Sequence, residues 1–315
     1  MPHQLNIQVG YVANRQNKMV IPQNLNYGGI GGGAASQPFN QPGLADGLRT
    51  VSPMIVLRPL GRVKYDSLQT SVNRRMSNGF QFTAAYTYAK AIDWWADNIP
   101  IPEYWYLNKA EQWGIYAAVP HKFDASAIYE LPFGSGRRFL NNGGLGAKIV
   151  GGWQLNGVFT ASSGKPFTVG ASSVSLNAPG SLQRADQVKD KVEIYGFKPN
   201  ASYFDVTAFR PVTEVRFGTA KFNSLRGPGV ANLDLSLFRA VALSDTVKLQ
   251  FRVEAFNVTN TPHFANPSNL NVSNLQLNPN GTVRNLNGFG VINSTQNIGR
   301  EYDERYFRLG MRLSF

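Results

Sequence analysis

Residues 306–315 read "YFRLGMRLSF", a stretch in which apolar and polar side chains alternate with a period of two. Phe307, Leu309, Met311, Leu313 and Phe315 share one face, whereas arginine, glycine and serine occupy the other. This alternation is typical of a β-strand with one apolar face. Because most chain termini fray, a terminal strand that ends on phenylalanine indicates burial against an apolar environment.

The same alternation recurs along the whole chain and predicts an all-β protein. The predicted strands are about 10 to 14 residues long, whereas strands of soluble proteins average about five or six. A tilted strand needs about 9 to 11 residues to cross a bilayer. We predict eight strands, at residues 4–13, 65–76, 80–91, 121–131, 151–162, 231–241, 247–258 and 302–315.

The connections between these strands alternate in length. Those after even-numbered strands are the shorter ones and include "SNG" at 77–79 and "ALSDT" at 242–246, whereas those after odd-numbered strands are long. Outer-membrane barrels combine short periplasmic turns with long extracellular loops. The sequence therefore predicts an antiparallel, up-and-down transmembrane β-barrel of about eight strands, with Phe315 on the periplasmic side.

Two arginines interrupt the predicted apolar face. Arg74 and Arg239 each lie within about two residues of a periplasmic strand end. There a long cationic side chain reaches the headgroups at little cost. We expect both side chains to extend to the periplasmic interface.

Composition narrows the possible functions. The formal charge is +12, but the 31 lysines and arginines are scattered along the chain, so we expect no nucleic-acid partner. The same charge suits a basic exterior that faces acidic lipid or polysaccharide. The absence of cysteine excludes disulfides and thiolate chemistry. The histidines, His3, His121 and His263, share no motif spacing and are expected to be polar loop or strand-end residues. We expect no metal, no cofactor and no enzymatic activity.

The start of the chain leaves two interpretations open. No run approaches the 18 or so apolar residues of a transmembrane helix, and "MPHQLNIQVG" lacks the features of a signal peptide. Either the protein is soluble, or residue 1 is not the natural start of the polypeptide.

Five stretches carry a family resemblance. They are "YDSLQTSVNRRMSNGFQFTAAYTYAKAID", "PHKFDASAIYELPFGSGRRF", "GGWQLNGVFTASSGKPFTV", "NSLRGPGVANLDLSLFRAV" and "LQFRVEAFNVTNTPHFANP". With the terminal strand, they resemble the C-terminal part of a TonB-dependent outer-membrane receptor of the Oar-like type, which carries a carboxypeptidase-regulatory-like domain.

The resemblance implies a location, an activity and a domain organisation. It implies a bacterial outer-membrane receptor for energy-coupled uptake of a bulky nutrient, such as a glycan, a peptide or a metal chelate. Residues 1–315 would form the C-terminal part of a barrel of about 22 strands. The plug and the N-terminal strands would be absent, and the TonB complex would act only through that plug. Outer-membrane lipid and lipopolysaccharide would surround the barrel.

The resemblance also answers why the chain ends as it does. "RLGMRLSF" is similar to the barrel-assembly signal of outer-membrane proteins, carried here by Arg308, Gly310, Leu313 and Phe315. A final amphipathic strand can pair with the edge of the barrel-assembly machinery before the barrel closes.

The long loop after the third strand holds the candidate ligand-binding residues. It reads "DWWADNIPIPEYWYLNKAEQWGIY", and the candidates are Trp94, Trp95, Asp97, Tyr104 and Trp105. Aromatic rings beside carboxylates suit sugars or peptides. The alternative, which we weight more heavily, is an aromatic girdle at the outer interface together with loop packing.

Charged residues on neighbouring strands are predicted to face the lumen: Asp234, Arg252, Glu254, Arg308 and Arg312. They could contact a plug or line a permeation path. A satisfied network of wall charges is the interpretation we favour.

Two other classes of function stay open at this point. A self-contained small barrel or adhesin is possible because eight strands can close on their own. A membrane-embedded hydrolase would need acids and a histidine at the outer rim, where only His121 and His263 could lie, and we do not expect one. The glycine-rich stretch 27–36 lacks a phosphate-binding spacing and is predicted to be an exposed loop.

Overall fold

The computed structural model describes residues 4–45, 47–93, 114–115, 119–296 and 303–315. Eight long strands pair in sequence order into one antiparallel, up-and-down sheet, as predicted. They are β1 (Leu5–Asn24), β2 (Ile55–Ser77), β3 (Phe80–Asp93), β4 (His121–Glu130), β5 (Trp153–Ser162), β6 (Val230–Ala242), β7 (Lys248–Phe256) and β8 (Tyr306–Ser314).

Shorter elements lie in the connections. The one α-helix among the described residues, α1, spans Leu145–Val150 in the connection between β4 and β5. No helix in the described ranges is long and apolar enough to span a membrane. Short strands occupy Gly114–Ile115, Pro166–Phe167, Gly170–Ala171, Gln183–Arg184, Asp186–Gln187, Phe209–Arg210, Leu225–Arg226, Gln276–Leu277 and Val283–Asn285, and single 3-10 turns occupy Ala34–Ser36, Pro38–Asn40, Val206–Ala208 and Val272–Asn274.

The register separates two chemically different faces of the sheet. Residues paired across adjacent strands share a face, so each paired row can be followed from β1 to β6. One such row is apolar and consists of Ile7, Val72, Ala84, Ala125, Phe159 and Leu233. The next row, on the opposite face, is Gln8, Ser71, Ala85, Asp124, Thr160 and Asn232.

The apolar face is exposed and is bordered by aromatic residues at both ends. Val9, for example, retains 67% of its accessible surface. Phe80 and Tyr129 lie at the periplasmic end with ring centroids 6.1 Å apart, and Tyr11 and Tyr88 lie at the extracellular end. The nine residues from Phe80 to Tyr88 match the length of a membrane-crossing strand. This face therefore has the pattern of a lipid-facing barrel wall.

The two arginines on the apolar face lie near the strand ends that the sequence analysis assigns to the periplasm. Arg239 donates from Nη1 to the carbonyl of Ile149 at 2.6 Å, at the C-terminal end of α1, and lies over the Trp153 ring. Arg74 lies over the Phe80 ring, 5.2 Å from its centroid. A cation at a helix C-terminus is electrostatically favourable, so Arg239 also holds α1 against the sheet.

β1 and β2 are longer than the sequence predicted. They contain 20 and 23 residues, and an irregularity of register between Asn17 and Val20 interrupts their pairing. The alternation fades beyond the predicted strand ends because the extension lies above the hydrocarbon core, where the bilayer no longer requires an apolar face. The predicted ends, at residues 13 and 65, mark where the alternating pattern weakens rather than where pairing stops.

The sheet has two free edges among the described residues. β1 pairs only with β2, and β8 pairs only with β7. Phe315, just after β8, is 97% exposed. Each edge therefore presents unpaired backbone groups that a further strand could bind.

Candidate functional site

Two extracellular connections fold together above the sheet. We call residues 163–229, between β5 and β6, and residues 257–296, after β7, the cap. Its buried core draws on both segments and consists of Phe167, Val169, Ala185, Tyr203, Phe204, Val206, Ala208, Phe209, Ala220, Leu225, Val272, Phe289 and Ile292. Burying this apolar surface supplies the cap with its own hydrophobic stabilisation, separate from the barrel wall.

Phe204 lies at the centre of the cap core. The side chain is fully buried, at 0% exposure, and meets Phe209 and Phe289 edge-on at centroid distances of 5.8 and 5.7 Å. Phe167 lies 5.7 Å away in a tilted arrangement. Edge-to-face contacts of this kind add to the stabilisation from burial alone. Phe204 thus joins residues of the two connections.

Backbone hydrogen bonds also link the two parts of the cap. Tyr203 donates to the carbonyl of Gly290 at 2.8 Å, and Gly170 donates to the carbonyl of Leu270 at 2.9 Å. Paired backbone groups satisfy the polar atoms that a buried loop would otherwise leave without partners. The two segments of the cap are therefore folded together.

The glycine-rich connection between β1 and β2 docks on the cap. Gly28, Gly31 and Gly33 donate to the carbonyls of residues 179, 176 and 177 at 2.9, 2.9 and 2.7 Å. A Cβ atom on Gly28 would approach Pro179 Cδ to 2.4 Å, so this close approach requires glycine. The prediction of an exposed loop was correct for residues 29–32 and 34–35, whereas Gly33 and Ser36 are half-buried and Tyr27 and Gly28 are buried.

An ion pair fixes the rim of the cap. Arg216 donates from Nη1 and Nη2 to the two carboxylate oxygens of Asp186, at 2.8 and 2.7 Å. The Arg216 hydrogen bonds, helped by the backbone N–H of Thr219, outweigh partial burial and hold the pKa of Asp186 below its ordinary value. Asp186 therefore stays ionised at neutral pH.

A second carboxylate is held within the same segment. Burial alone would raise the pKa of Asp205, but hydrogen bonds from Lys189 and Thr207 outweigh burial and lower it. Lys189 Nζ lies 2.7 Å from Asp205 Oδ2, and the Thr207 N–H donates to Oδ1 at 3.0 Å. The last contact caps the 3-10 turn that carries Val206 into the core.

A polar knot joins the cap to the ends of β6, β7 and β8. Asn257 donates from its backbone to Asp234 Oδ1 at 2.8 Å and from its side chain to the carbonyl of Asp303 at 2.7 Å. His263 Nδ1 lies 2.5 Å from Asp303 Oδ1, and Nε2 lies 3.1 Å from the carbonyl of Ala231. The His263 side chain is only 1% exposed. The histidine and the acid therefore hold strand ends together and do not face solvent.

The structure brings three of the five predicted lumen charges into contact. Arg308 Nε lies 2.9 Å and Arg252 Nη1 lies 3.6 Å from Glu254. Arg312 is further along β8, opposite Gln250, and lines with Arg252 an open hollow of about 210 Å³. Asp234 lies nearer the extracellular end, in the polar knot. This portion of the wall carries more positive than negative charge.

The four residues of the predicted assembly signal lie on or just after the edge strand β8. Arg308 is paired with Glu254, and Leu313 lies opposite Leu249 on the apolar face. A Cβ atom on Gly310 would meet only Arg252 Cβ, at an ordinary 3.8 Å. Packing in this sheet therefore does not explain a glycine at position 310.

The predicted ligand-binding residues lie outside the described residues. Trp94, Trp95, Asp97, Tyr104 and Trp105 all fall within 94–113. The aromatic-loop hypothesis stays a prediction. In the described part of the chain, no group of three histidine, aspartate or glutamate side chains could hold a metal ion.

Sequence reasoning missed the cap. The available signal was the density of aromatic and branched residues in the long connections, such as "YFDVTAF" at 203–209. Those residues show no strict period, because they enter the core from turns and two-residue strands and not from one long element.

One family comparison gives a match. A family model described as "Outer membrane beta barrel domain" matches residues 1–303, almost the entire chain. The chain belongs to this outer membrane beta barrel domain family. The location is therefore the bacterial outer membrane, and the exposed apolar face described above is the lipid-facing surface of the domain. In comparisons with curated proteins and with solved structures, nothing matched.

Proposed function

We propose that this barrel domain is the C-terminal part of an energy-coupled outer-membrane receptor that takes up a glycan, a peptide or a metal chelate. The observation that carries the proposal is the open sheet, whose β1 and β8 edges are both unpaired within the described residues. A closed eight-stranded barrel would join its first and last strands around an interior just wide enough for side chains. Two free edges support membership in a larger barrel with a wider lumen.

The cap and the lumen then have complementary roles. The nutrient binds at the extracellular connections, above the cap core, and passes along the inner wall near Arg252, Glu254 and Arg308. Energy arrives from the TonB complex through a plug that residues 1–315 do not include. No covalent chemistry is part of this proposal.

The edge strand supports the assembly part of the proposal. Gly310 and Phe315 are not explained by contacts within the sheet, yet both match the assembly signal. The barrel-assembly machinery would recognise Gly310 and Phe315 when it pairs with the free edge of β8.

The test is uptake in the native bacterium. Cells with the intact gene, cells lacking it and complemented cells are given labelled oligosaccharides, oligopeptides and ferric chelates, with and without a protonophore. We expect one class to accumulate only when the protein is present and the membrane is energised. Protein-dependent uptake that resists the protonophore would refute energy coupling.

The second candidate is a self-contained small barrel or adhesin. The folded cap favours it, because a rigid extracellular surface suits adhesion as well as nutrient binding. Loss of surface attachment without any loss of uptake in the deletion strain would establish this candidate instead.

A further inference from the structure

The outward face of β1, β2 and β3 changes character just above the extracellular aromatic border. On this outward face, Tyr11, Leu68 and Tyr88 form one row of paired residues. Further from the periplasm, the following rows on the same face contain first Asp66 and Lys90, then Arg15 and Lys64, and finally Arg62, which lies opposite Asn17. We call Arg15, Arg62, Lys64 and Lys90 the cationic patch.

All four side chains of the cationic patch are exposed on the lipid-facing side, not on the lumen side. The alternation of β1 places Arg15 on the same face as Ile7, Val9 and Tyr11. Arg15 lies four positions beyond Tyr11, which is about 14 Å along a strand and about 10 Å along the membrane normal at a tilt of about 45°. Long cationic side chains at this height can reach back to the headgroups.

One carboxylate organises the patch. Asp66 forms an ion pair with Arg15 and accepts a hydrogen bond from the Tyr11 hydroxyl. Arg15 Nη1 also donates to the carbonyl of Tyr65 at 2.6 Å. Arg15 is therefore anchored beside the aromatic border, and the four cations exceed the single acid in formal charge.

We propose that the cationic patch binds the phosphate groups of lipopolysaccharide in the outer leaflet, with Tyr11 and Tyr88 packed at the junction between its sugar and its acyl chains. The occupant follows from position and charge together. A patch that faces lipid, directly above the apolar band, meets the phosphorylated end of an outer-leaflet glycolipid, and guanidinium and ammonium groups bind phosphate through charge-assisted hydrogen bonds. The inference holds whether or not the domain belongs to an energy-coupled receptor.

The experiment measures lipid binding by the full chain in phospholipid nanodiscs. The probes are lipid A with both phosphates and the same lipid after enzymatic dephosphorylation, with the bound fraction read by native mass spectrometry. We expect the wild type to prefer the phosphorylated lipid. Changing all four patch residues (Arg15→Gln, Arg62→Gln, Lys64→Gln, Lys90→Gln) should weaken binding about tenfold or more, since each cation near an anionic surface contributes.

The matched control removes the same charge from exposed positions of the cap: Lys191→Gln, Lys198→Gln, Lys221→Gln and Arg284→Gln. Heat-modifiable mobility on gels reports folding of each variant. If the fourfold variant does not fold, the double variant Lys64→Gln and Lys90→Gln keeps the Arg15–Asp66 pair and should weaken binding about fivefold.

Three results would overturn the proposal. Equal wild-type binding of the dephosphorylated lipid would remove the role of phosphate. Equal weakening of lipid binding in the cap control variant would show that net charge, and not the position of the patch, determines binding. Full displacement of lipid A by inorganic phosphate at millimolar concentration would make the patch a general anion site and not a lipid site.

Discussion

Removing the Phe204 side chain should unfold the cap and leave the barrel wall intact. The ring is fully buried and contacts three other aromatic rings from both parts of the cap. Truncation of a buried phenylalanine to alanine costs about 3–5 kcal/mol. Since about 1.4 kcal/mol is a factor of ten in an equilibrium constant, Phe204→Ala should raise the population of the open cap by at least about a hundredfold.

The assay is trypsin cleavage of the protein in outer-membrane vesicles that display the extracellular side. Cleavage tracks the population of the open form when opening and reclosing are fast. We expect rapid cleavage within 163–229 in Phe204→Ala, a smaller increase in Phe204→Leu, and unchanged heat-modifiable mobility of the barrel in both variants.

The control is Val174→Ala in the same connection, where the side chain is 83% exposed and truncation should cost less than about 0.5 kcal/mol. Cleavage of Phe204→Ala at the wild-type rate would refute the role of the cap core. Loss of heat-modifiable mobility in that variant would refute the separation of cap from barrel.

Three further predictions follow from single contacts. The pKa of Asp186 is lower in the folded than in the unfolded protein, so the stability from its pair with Arg216 is fully present above about pH 4 and is lost as the pH falls through the folded pKa. Pepsin cleavage of the cap should therefore increase more between pH 4 and pH 2 in the wild type than in Asp186→Asn. Glu254→Gln should change barrel stability by only about 0–1 kcal/mol in urea titrations, because its partner Arg308 is solvated; a loss of several kcal/mol would contradict this. Deletion of Phe315 should reduce assembly into the outer membrane, and normal levels of folded barrel in membrane fractions would refute the assembly-signal assignment.

The barrel wall could be predicted from the sequence because the bilayer imposes a strict rule on it. Every other residue from Phe80 to Tyr88 faces lipid, so apolar and polar residues alternate with a period of two in the sequence itself. The alternation of short and long connections then predicts which end of each strand faces the periplasm. Both signals depend on local composition and need no knowledge of distant contacts.

The cap could not be predicted in the same way. Phe204 and Phe289 meet across 85 residues of sequence, and neither belongs to a long alternating element. The hydrogen bonds of Gly28 with Pro179 and of His263 with Asp303 are equally non-local. Such contacts are determined by the tertiary path of the loops, and no periodic pattern in one sequence encodes that path.

The glycine contact between the first loop and the cap has a consequence for how this protein can change over generations. Exposed positions of the cap, such as Val174, can be substituted at a cost in stability of less than about 0.5 kcal/mol. Gly28 cannot, because any side chain there would collide with Pro179. Sequence changes can therefore accumulate at exposed positions of the cap, while a few contacts between backbone segments beneath them preserve the shape of the loops.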